Sequence, residues 1–425
     1  MLEPERSCPY PRCEGAPEPR DLRCPACRRK LLPCRVCGAA NRATATYCRH
    51  CGGSLTPEDE WRLPRGSAGQ TGYLPSQVRM APLGQPANHL RRRSLRLAVD
   101  APPVAAYDYL FVPTAAHGLH VLTVDTLESV AVLESPFGAP LLQPPAVVGG
   151  CVYVVSPRGL AVFDLARTLS GPTMAPTLIG SPIQVKDHII TPPMVFGDMV
   201  YFGTEQGLCR VDPRGSGTPQ VLASGRSYLL ARHGETLVFC PEEQAIEGVD
   251  PASGVSRWRR APKRWQADGL RVRPQAGLMS DGTTLHFADQ DGTIWMLYPE
   301  TGDALPMVHR PEGVTGLALM PDGGCVVGSI GGLFAYDSAG TRRWAIEHEE
   351  LECPPVVTRH LVLAGTTGGG LLLADRLKGS LDKQAVGSGA VRGIALSGAS
   401  VLAVTGEGDV TAFDLPLEEE VATRA

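Results

Sequence analysis

The chain has 425 residues, 43% of them hydrophobic and 20% charged, with a formal net charge of −4. That balance describes a soluble globular protein with room for two or three domains and excludes disordered and membrane chains. Its 48 Gly and 38 Pro are too many for a helix bundle and suit an all-β protein with many tight turns. The opening Met1-Leu-Glu-Pro-Glu-Arg6 has no basic segment followed by an apolar one, and no apolar run approaches the ~18 residues of a membrane span, so a cytoplasmic location without membrane contact is expected.

Eight of the 13 cysteines fall between residues 8 and 51. They form four close pairs, Cys8/Cys13, Cys24/Cys27, Cys34/Cys37 and Cys48/Cys51, with ten residues between the first and second pair and again between the third and fourth. A Cys-x2-Cys turn aims two sulfurs at one ion, and a second turn on a facing hairpin completes the four-thiolate tetrahedron that zinc accepts. The equal spacers predict two sequential sites, Cys8, Cys13, Cys24 and Cys27 for one, and Cys34, Cys37, Cys48 and Cys51 for the other. Four sulfurs close each site to water, so two structural Zn²⁺ ions are expected, although iron fits the same ligands. Gly38 and Gly52 each follow the second cysteine of a turn, where the knuckle needs a positive φ. The remaining cysteines, Cys151, Cys209, Cys240, Cys325 and Cys353, stand singly and read as small core residues. Residues 1–55 resemble the double zinc ribbon modules. The second copy, Cys34-Arg-Val-Cys37-Gly38 with Cys48-Arg-His-Cys51-Gly52, matches more closely than the first, whose Cys8-x4-Cys13 turn departs from the two-residue spacing.

Residues 56–93 hold Gly, Pro, Ser and Gln with little periodicity and read as a flexible linker. Ser94-Leu-Arg-Leu-Ala-Val99 then alternates like a strand. From about residue 100 one phrase recurs: an apolar strand, a glycine turn, and a second apolar strand ending at Asp125, Asp164, Asp212, Asp250, Tyr298, Asp337, Asp375 or Asp414. The eight copies are spaced 38 to 48 residues apart. A further short strand precedes each phrase, often after paired prolines such as Pro102-Pro103 and Pro354-Pro355. Four antiparallel strands per unit make the blade of a β-propeller, and a blade with two apolar faces must pack against neighbours around a common axis. Residues 94–425 are therefore expected to form an eight-bladed propeller. The eighth copy ends at Asp414 with no good strand after it, so Ser94–Val99 is expected to close the ring as the outermost strand of the last blade.

Several units end in an Asp, turn Gly, then Trp phrase, as in Asp250-Pro-Ala-Ser-Gly254-Val-Ser-Arg-Trp258 and Asp337-Ser-Ala-Gly340-Thr-Arg-Arg-Trp344. This phrase resembles the PQQ-like (pyrroloquinoline-quinone-type) repeat, shared by quinoprotein dehydrogenases and outer-membrane assembly lipoproteins. The resemblance implies the fold and leaves the activity open. Independently of it, Asp accepts backbone N–H groups to fix the turn, Gly supplies positive φ, and Trp258 and Trp344 are expected to wedge between blades.

A vicinal Cys-Cys pair, Trp-rich insertions and a G-x-S-x-G or P-loop string are all missing from the sequence, so no PQQ cofactor and no catalysis are expected. Asp289-Gln-Asp-Gly292 reads as a hairpin turn rather than a calcium loop. Arg257, Arg259, Arg260, Lys263 and Arg264, interleaved with Trp258 and Trp265, form the one concentrated cationic segment of the repeat region and are the candidate partner-binding residues. Residues 63–106 carry a net +5, mostly from Arg91, Arg92, Arg93 and Arg96, against −12 for the rest of the repeat region. The leading expectation is a non-enzymatic interaction protein whose ribbons and propeller each bind protein partners. The alternatives are a nucleic-acid-associated factor using the ribbons and arginines, and an enzyme with its site in the propeller channel.

Overall fold

The computed structural model describes residues 8, 13, 15–17, 24–28, 31–33, 40–42, 63, 65, 70, 72–74, 88–116, 118–170, 176–214, 218–227, 229–241, 245–260 and 274–416. Eight four-stranded antiparallel sheets follow one another along the chain from Val104 onward, and one two-stranded sheet precedes them. Blade one consists of Val104–Ala106, Tyr109–Pro113, Gly118–Thr123 and Ser129–Glu134, paired in that order from the axis outward. The inner strands of blades two to eight are Ala146–Val148, Met194–Phe196, Leu230–His233, Pro274–Ser280, Val314–Leu319, Val356–Val357 and Val391–Ser397. The last of these lies against Val104–Ala106 of blade one, which closes the ring. Among the described residues one helix interrupts the pattern, Leu165–Ser170, between the third and fourth strands of blade two.

The period of the sequence is the period of the blades, because the recurrent phrase supplies the two middle strands of each. These strands are buried on both faces, as in Leu361–Gly365 and Cys325–Ser329, whereas the outer strands, such as Leu381–Ala385, are mostly exposed. The apolar core is accordingly divided among the interfaces between successive blades. One cluster joins Phe111 and Val121 of blade one to Val152 and Phe163 of blade two; another joins Val326 and Leu333 of blade six to Val362 and Leu372 of blade seven. Seven of the blades contribute one fully buried phenylalanine to these layers: Phe111, Phe163, Phe202, Phe239, Phe287, Phe334 and Phe413.

The turn chemistry is as the repeat implies. Asp250 accepts the amides of Ala252 and Ser253 at 3.0 and 2.8 Å, and Asp337 accepts those of Ala339 and Thr341 at 2.9 and 2.8 Å. Gly340 adopts φ +81° between them, with the Met307 carbonyl where a Cβ would project. Both tryptophans lie between blades. The Trp344 ring of blade six covers Gly379 of blade seven, and its Nε1 donates to the Arg376 carbonyl at 2.9 Å. Trp258 packs on the cluster shared by blades four and five. Asp289 is a turn residue, accepting the Asp291 and Thr293 amides at 2.9 and 2.8 Å and the Trp295 indole at 2.7 Å.

The closing strand differs in register from the expectation. It is Asn88–Ser94, not Ser94–Val99, and it pairs antiparallel with Asp409–Asp414, the third strand of blade eight. Residues 95–99 instead cross the hairpin turn of that blade, where the amides of Leu95 and Val99 donate to the carbonyls of Gly408 and Gly406, both at 2.9 Å. Their apolar alternation reflects packing over this turn, with Val99 fully buried. The propeller thus begins at Asn88, inside the span read as linker.

Candidate functional site

At the N-terminus, Cys8, Cys13, Cys24 and Cys27 converge, their four sulfurs all within 4.8 Å of one another. The Cys8 and Cys27 sulfurs are 3.8 Å apart and those of Cys13 and Cys24 are 3.7 Å apart, beyond any disulfide bond. A tetrahedron with metal–sulfur bonds of about 2.3 Å has sulfur–sulfur edges of about 3.8 Å, so the spacing suits a four-thiolate metal ion. The amide of Cys27, followed by that of Ala26 and by the neighbouring Cys8 and Cys13 thiols, holds the Cys24 thiol down at about 7, despite the opposing effect of burial. Thiolate is the form a metal needs.

The local backbone explains the convergence. The Cys8 amide donates to the Gly15 carbonyl and the Arg28 amide to that of Cys24, both at 2.9 Å, closing the two turns. Gly15 has no side chain because a Cβ there would lie 2.7 Å from the Cys24 sulfur and 3.3 Å from the Cys13 sulfur. Sequence reasoning missed this residue, since it follows no Cys-x2-Cys turn. Arg28 adopts φ +62° directly after Cys27, the position that Gly38 and Gly52 hold in the other knuckles. Leu31 and Ala40, in the paired strands Leu31–Pro33 and Ala40–Arg42, pack against the thiols. Cys34, Cys37, Cys48 and Cys51 lie outside the described residues. Of the single cysteines, Cys209, Cys240, Cys325 and Cys353 are buried, and burial pushes their thiols up. Cys151 is half-buried and shifted in the same direction, again by burial.

Three of the five candidate partner-binding residues are described, all on Ser256–Arg260, the outer strand of blade four. Arg257 forms an ion pair with Asp250 and donates to the Thr236 hydroxyl at 3.4 Å. Arg260 reaches blade five, donating to the carbonyls of Pro299 and Glu300 at 2.8 and 2.9 Å. These two side chains therefore hold the blade's own turn and its neighbour, while Arg259 is exposed. Lys263 and Arg264 lie outside the described residues.

The arginines of the closing strand have the same character. Arg91 pairs with Asp414 at 2.5 Å, Arg92 donates to the Ala385 carbonyl of blade seven at 3.2 Å, and Arg93 donates to the Leu127 carbonyl of blade one at 3.1 Å. Three consecutive cations thus fasten the last strand to its own blade and to both neighbours.

The central channel is also occupied. An inner strand pairs on one edge with the second strand of its blade, and its other edge presents N–H and C=O groups to the axis. Residues of the span read as linker meet those edges in blades four, six and seven and touch a side chain of blade five. Gln70 donates to the Leu230 carbonyl of blade four; Arg65 donates to the Leu317 carbonyl of blade six and approaches the Met279 sulfur of blade five at 3.9 Å. At blade seven, the Val357 amide donates to the Gly72 carbonyl at 2.7 Å and the Leu74 amide to the Val357 carbonyl at 2.9 Å, a parallel bridge centred on Tyr73. Leu63 packs on the cluster of blades two and three, and Leu74 is buried in that of blades seven, eight and one. In the sequence, the apolar Leu63 and Tyr73-Leu74 amid polar residues were the signal for this docking.

Residues 223–421 match the family described as outer membrane protein assembly factor BamB, and residues 32–56 match a domain of unknown function, DUF7577. Over residues 223–421, somewhat less than half of the chain, the propeller is similar to the PQQ-type, BamB-like repeat. No curated protein matches it in sequence. Among solved structures, the propeller chain is similar to BamB from Moraxella catarrhalis, at 15% identity over 76% of this chain and 98% of that one, with a TM-score of 0.58. Sqt1 of Saccharomyces cerevisiae is similar at 14% identity over 78% and 100%, with a TM-score of 0.63. So is the quinohemoprotein alcohol dehydrogenase ADHIIG of Pseudomonas putida HK5, at 12% identity over 84% and 80%, with a TM-score of 0.63. At these identities the likeness is one of fold, and the fold serves assembly factors and dehydrogenases alike.

Proposed function

We propose that this PQQ-like propeller protein is a non-enzymatic scaffold of the cytoplasm, in which the propeller and the N-terminal zinc ribbons each bind protein partners. The observation that carries this reading is the occupied channel. The axis-facing edges of three inner strands are engaged by the chain's own Arg65, Gln70, Gly72 and Leu74, in the space where a catalytic channel would need to admit substrate. The arginines offer further support. Arg91, Arg92, Arg93, Arg257 and Arg260 are committed to carboxylates and carbonyls of this chain, which leaves fewer cations for phosphates than their number in the sequence suggests. Cys8, Cys13, Cys24 and Cys27, with Cys34, Cys37, Cys48 and Cys51, would hold two Zn²⁺, and the metal would supply structure, since four sulfurs leave no position for water.

Capture of partners by a tagged full-length chain, repeated at increasing salt, tests the reading. Protein partners whose binding weakens modestly with salt are the expected result. Binding to DNA or RNA that falls linearly and steeply in log–log form with salt would transfer the function to nucleic acid, and a quinone recovered with the purified chain would restore the enzyme reading.

A further inference from the structure

We infer that the central channel is a peptide-binding site, occupied in cis by the stretch carrying Leu63, Arg65, Gln70, Gly72, Tyr73 and Leu74, and that its external ligand is a peptide with a glycine followed by an aromatic and an aliphatic residue. The inference rests on the reading of the propeller as a binding module and names the chemical class of one partner.

The recognition is by main chain first. Val357 exchanges two backbone hydrogen bonds with Gly72 and Leu74, at 2.7 and 2.9 Å, which is how a strand edge accepts an added peptide. Specificity comes from the glycine. Gly72 adopts φ +69°, and a Cβ there would lie 2.8 Å from the Ala318 side chain and 3.2 Å from the Pro355 carbonyl. The flanking side chains then find separate seats: Tyr73 against the cluster of blades six and seven, Leu74 within that of blades seven, eight and one.

The same geometry leaves the occupant exchangeable. Among the described residues no carboxylate pairs with Arg65, whose half-buried cation is answered by a carbonyl and a thioether. Burial pushes its guanidinium down to about 10. An uncompensated cation weakens the seat it occupies. A tethered segment acts at an effective concentration of the order of millimolar, so an intrinsic dissociation constant of about 0.1 mM suffices for roughly ten-to-one occupancy in cis and a roughly tenfold handicap to any peptide in trans.

The test uses the full chain and a fluorescent synthetic peptide covering residues 62–76 of this sequence. Gly72→Val in the chain should unseat the cis segment, and that variant should bind the peptide about tenfold more tightly than the wild-type chain does. A peptide carrying the same valine should bind neither. Equal affinity of the two chains, or no binding by the folded variant, would overturn the inference. Should Gly72→Val not fold, the paired variant Arg65→Ala/Gln70→Ala serves in its place. Hydrogen exchange of the wild-type chain supplies an independent arm: exchange slowed about tenfold at the Leu74 and Val357 amides is expected, and exchange as fast as in an unstructured peptide would overturn the inference. Partner capture that is identical for wild type and Gly72→Val, together with equal peptide affinity, would remove the channel site and leave the scaffold reading standing.

Discussion

The thiol cluster and the propeller are folded by different forces. Among the described residues, the apolar side chains packed around Cys8, Cys13, Cys24 and Cys27 are Leu31 and Ala40, and so small a module generally relies on a cross-link. The propeller distributes its apolar side chains over an interface between every two blades, and no single interface carries the ring. With the proposed metal in place, the first region should be all-or-none in it, while the second depends on closure and should be indifferent to the metal.

The largest effect expected is on closure. Deleting residues 88–94 exposes the Asp409–Asp414 edge and removes the Arg91, Arg92 and Arg93 fastenings, and should lower the propeller's Tm by more than about 10 °C. Deleting residues 1–55 should shift it by less than about 2 °C. Calorimetry of the two truncations decides, and similar melting would show that the regions are not independent. Chelation is next. Stripping metal should free the N-terminal thiols to a thiol reagent and abolish the pairing of Leu31–Pro33 with Ala40–Arg42, while the propeller's Tm stays within about 2 °C. A metal-to-chain ratio near two is expected by elemental analysis, and a ratio near zero would remove the cross-link altogether.

Single contacts within the ring come third. Trp344→Ala should cost about 3–5 kcal/mol, measured by denaturant unfolding, because it empties the seat over Gly379 and loses the bond to Arg376. An effect under about 1 kcal/mol would mean that the ring does not rely on this wedge. The smallest expected effect is electrostatic. The Arg257 side chain, then the amide and hydroxyl of Ser253, hold the Asp250 carboxyl well below the usual carboxylate range. A carboxyl depressed on folding contributes stability that is present above its unfolded pKa of about 3.9 and is lost as pH falls below it. The Tm difference between wild type and Asp250→Asn should therefore be present at pH 7 and shrink below about pH 4. A difference that is constant with pH would show that the turn is held by Asp250's shape and not by its charge.

Much of the propeller was legible because its determinants are local. The turn at Asp337 and Gly340 needs only an acceptor, a positive φ and a strand on either side, all within a few residues. The thiol site was legible for a similar reason, as two close cysteine pairs define each half of a tetrahedron. Gly15 was not, because its constraint is the approach of Cys24 across the site, which no spacing rule expresses. The arginine runs were misleading in the opposite way. Composition shows their charge, but only the placement of Asp414, Asp250 and the carbonyls of Leu127 and Pro299 shows what that charge is committed to.

The sequence by itself determined the eight repeats, the four-stranded blade and the convergence of Cys8, Cys13, Cys24 and Cys27, since alternation, turn residues and ligand spacing act over short range. The tertiary structure alone decided that Asn88–Ser94 closes the ring and that Gly72 to Leu74 lie along Val357 in the channel. Both segments satisfy strand edges, the outer edge of blade eight and the inner edge of blade seven, that stand unpaired only once the ring has assembled. A polar stretch and a cationic stretch carry no local mark of the edge that will receive them.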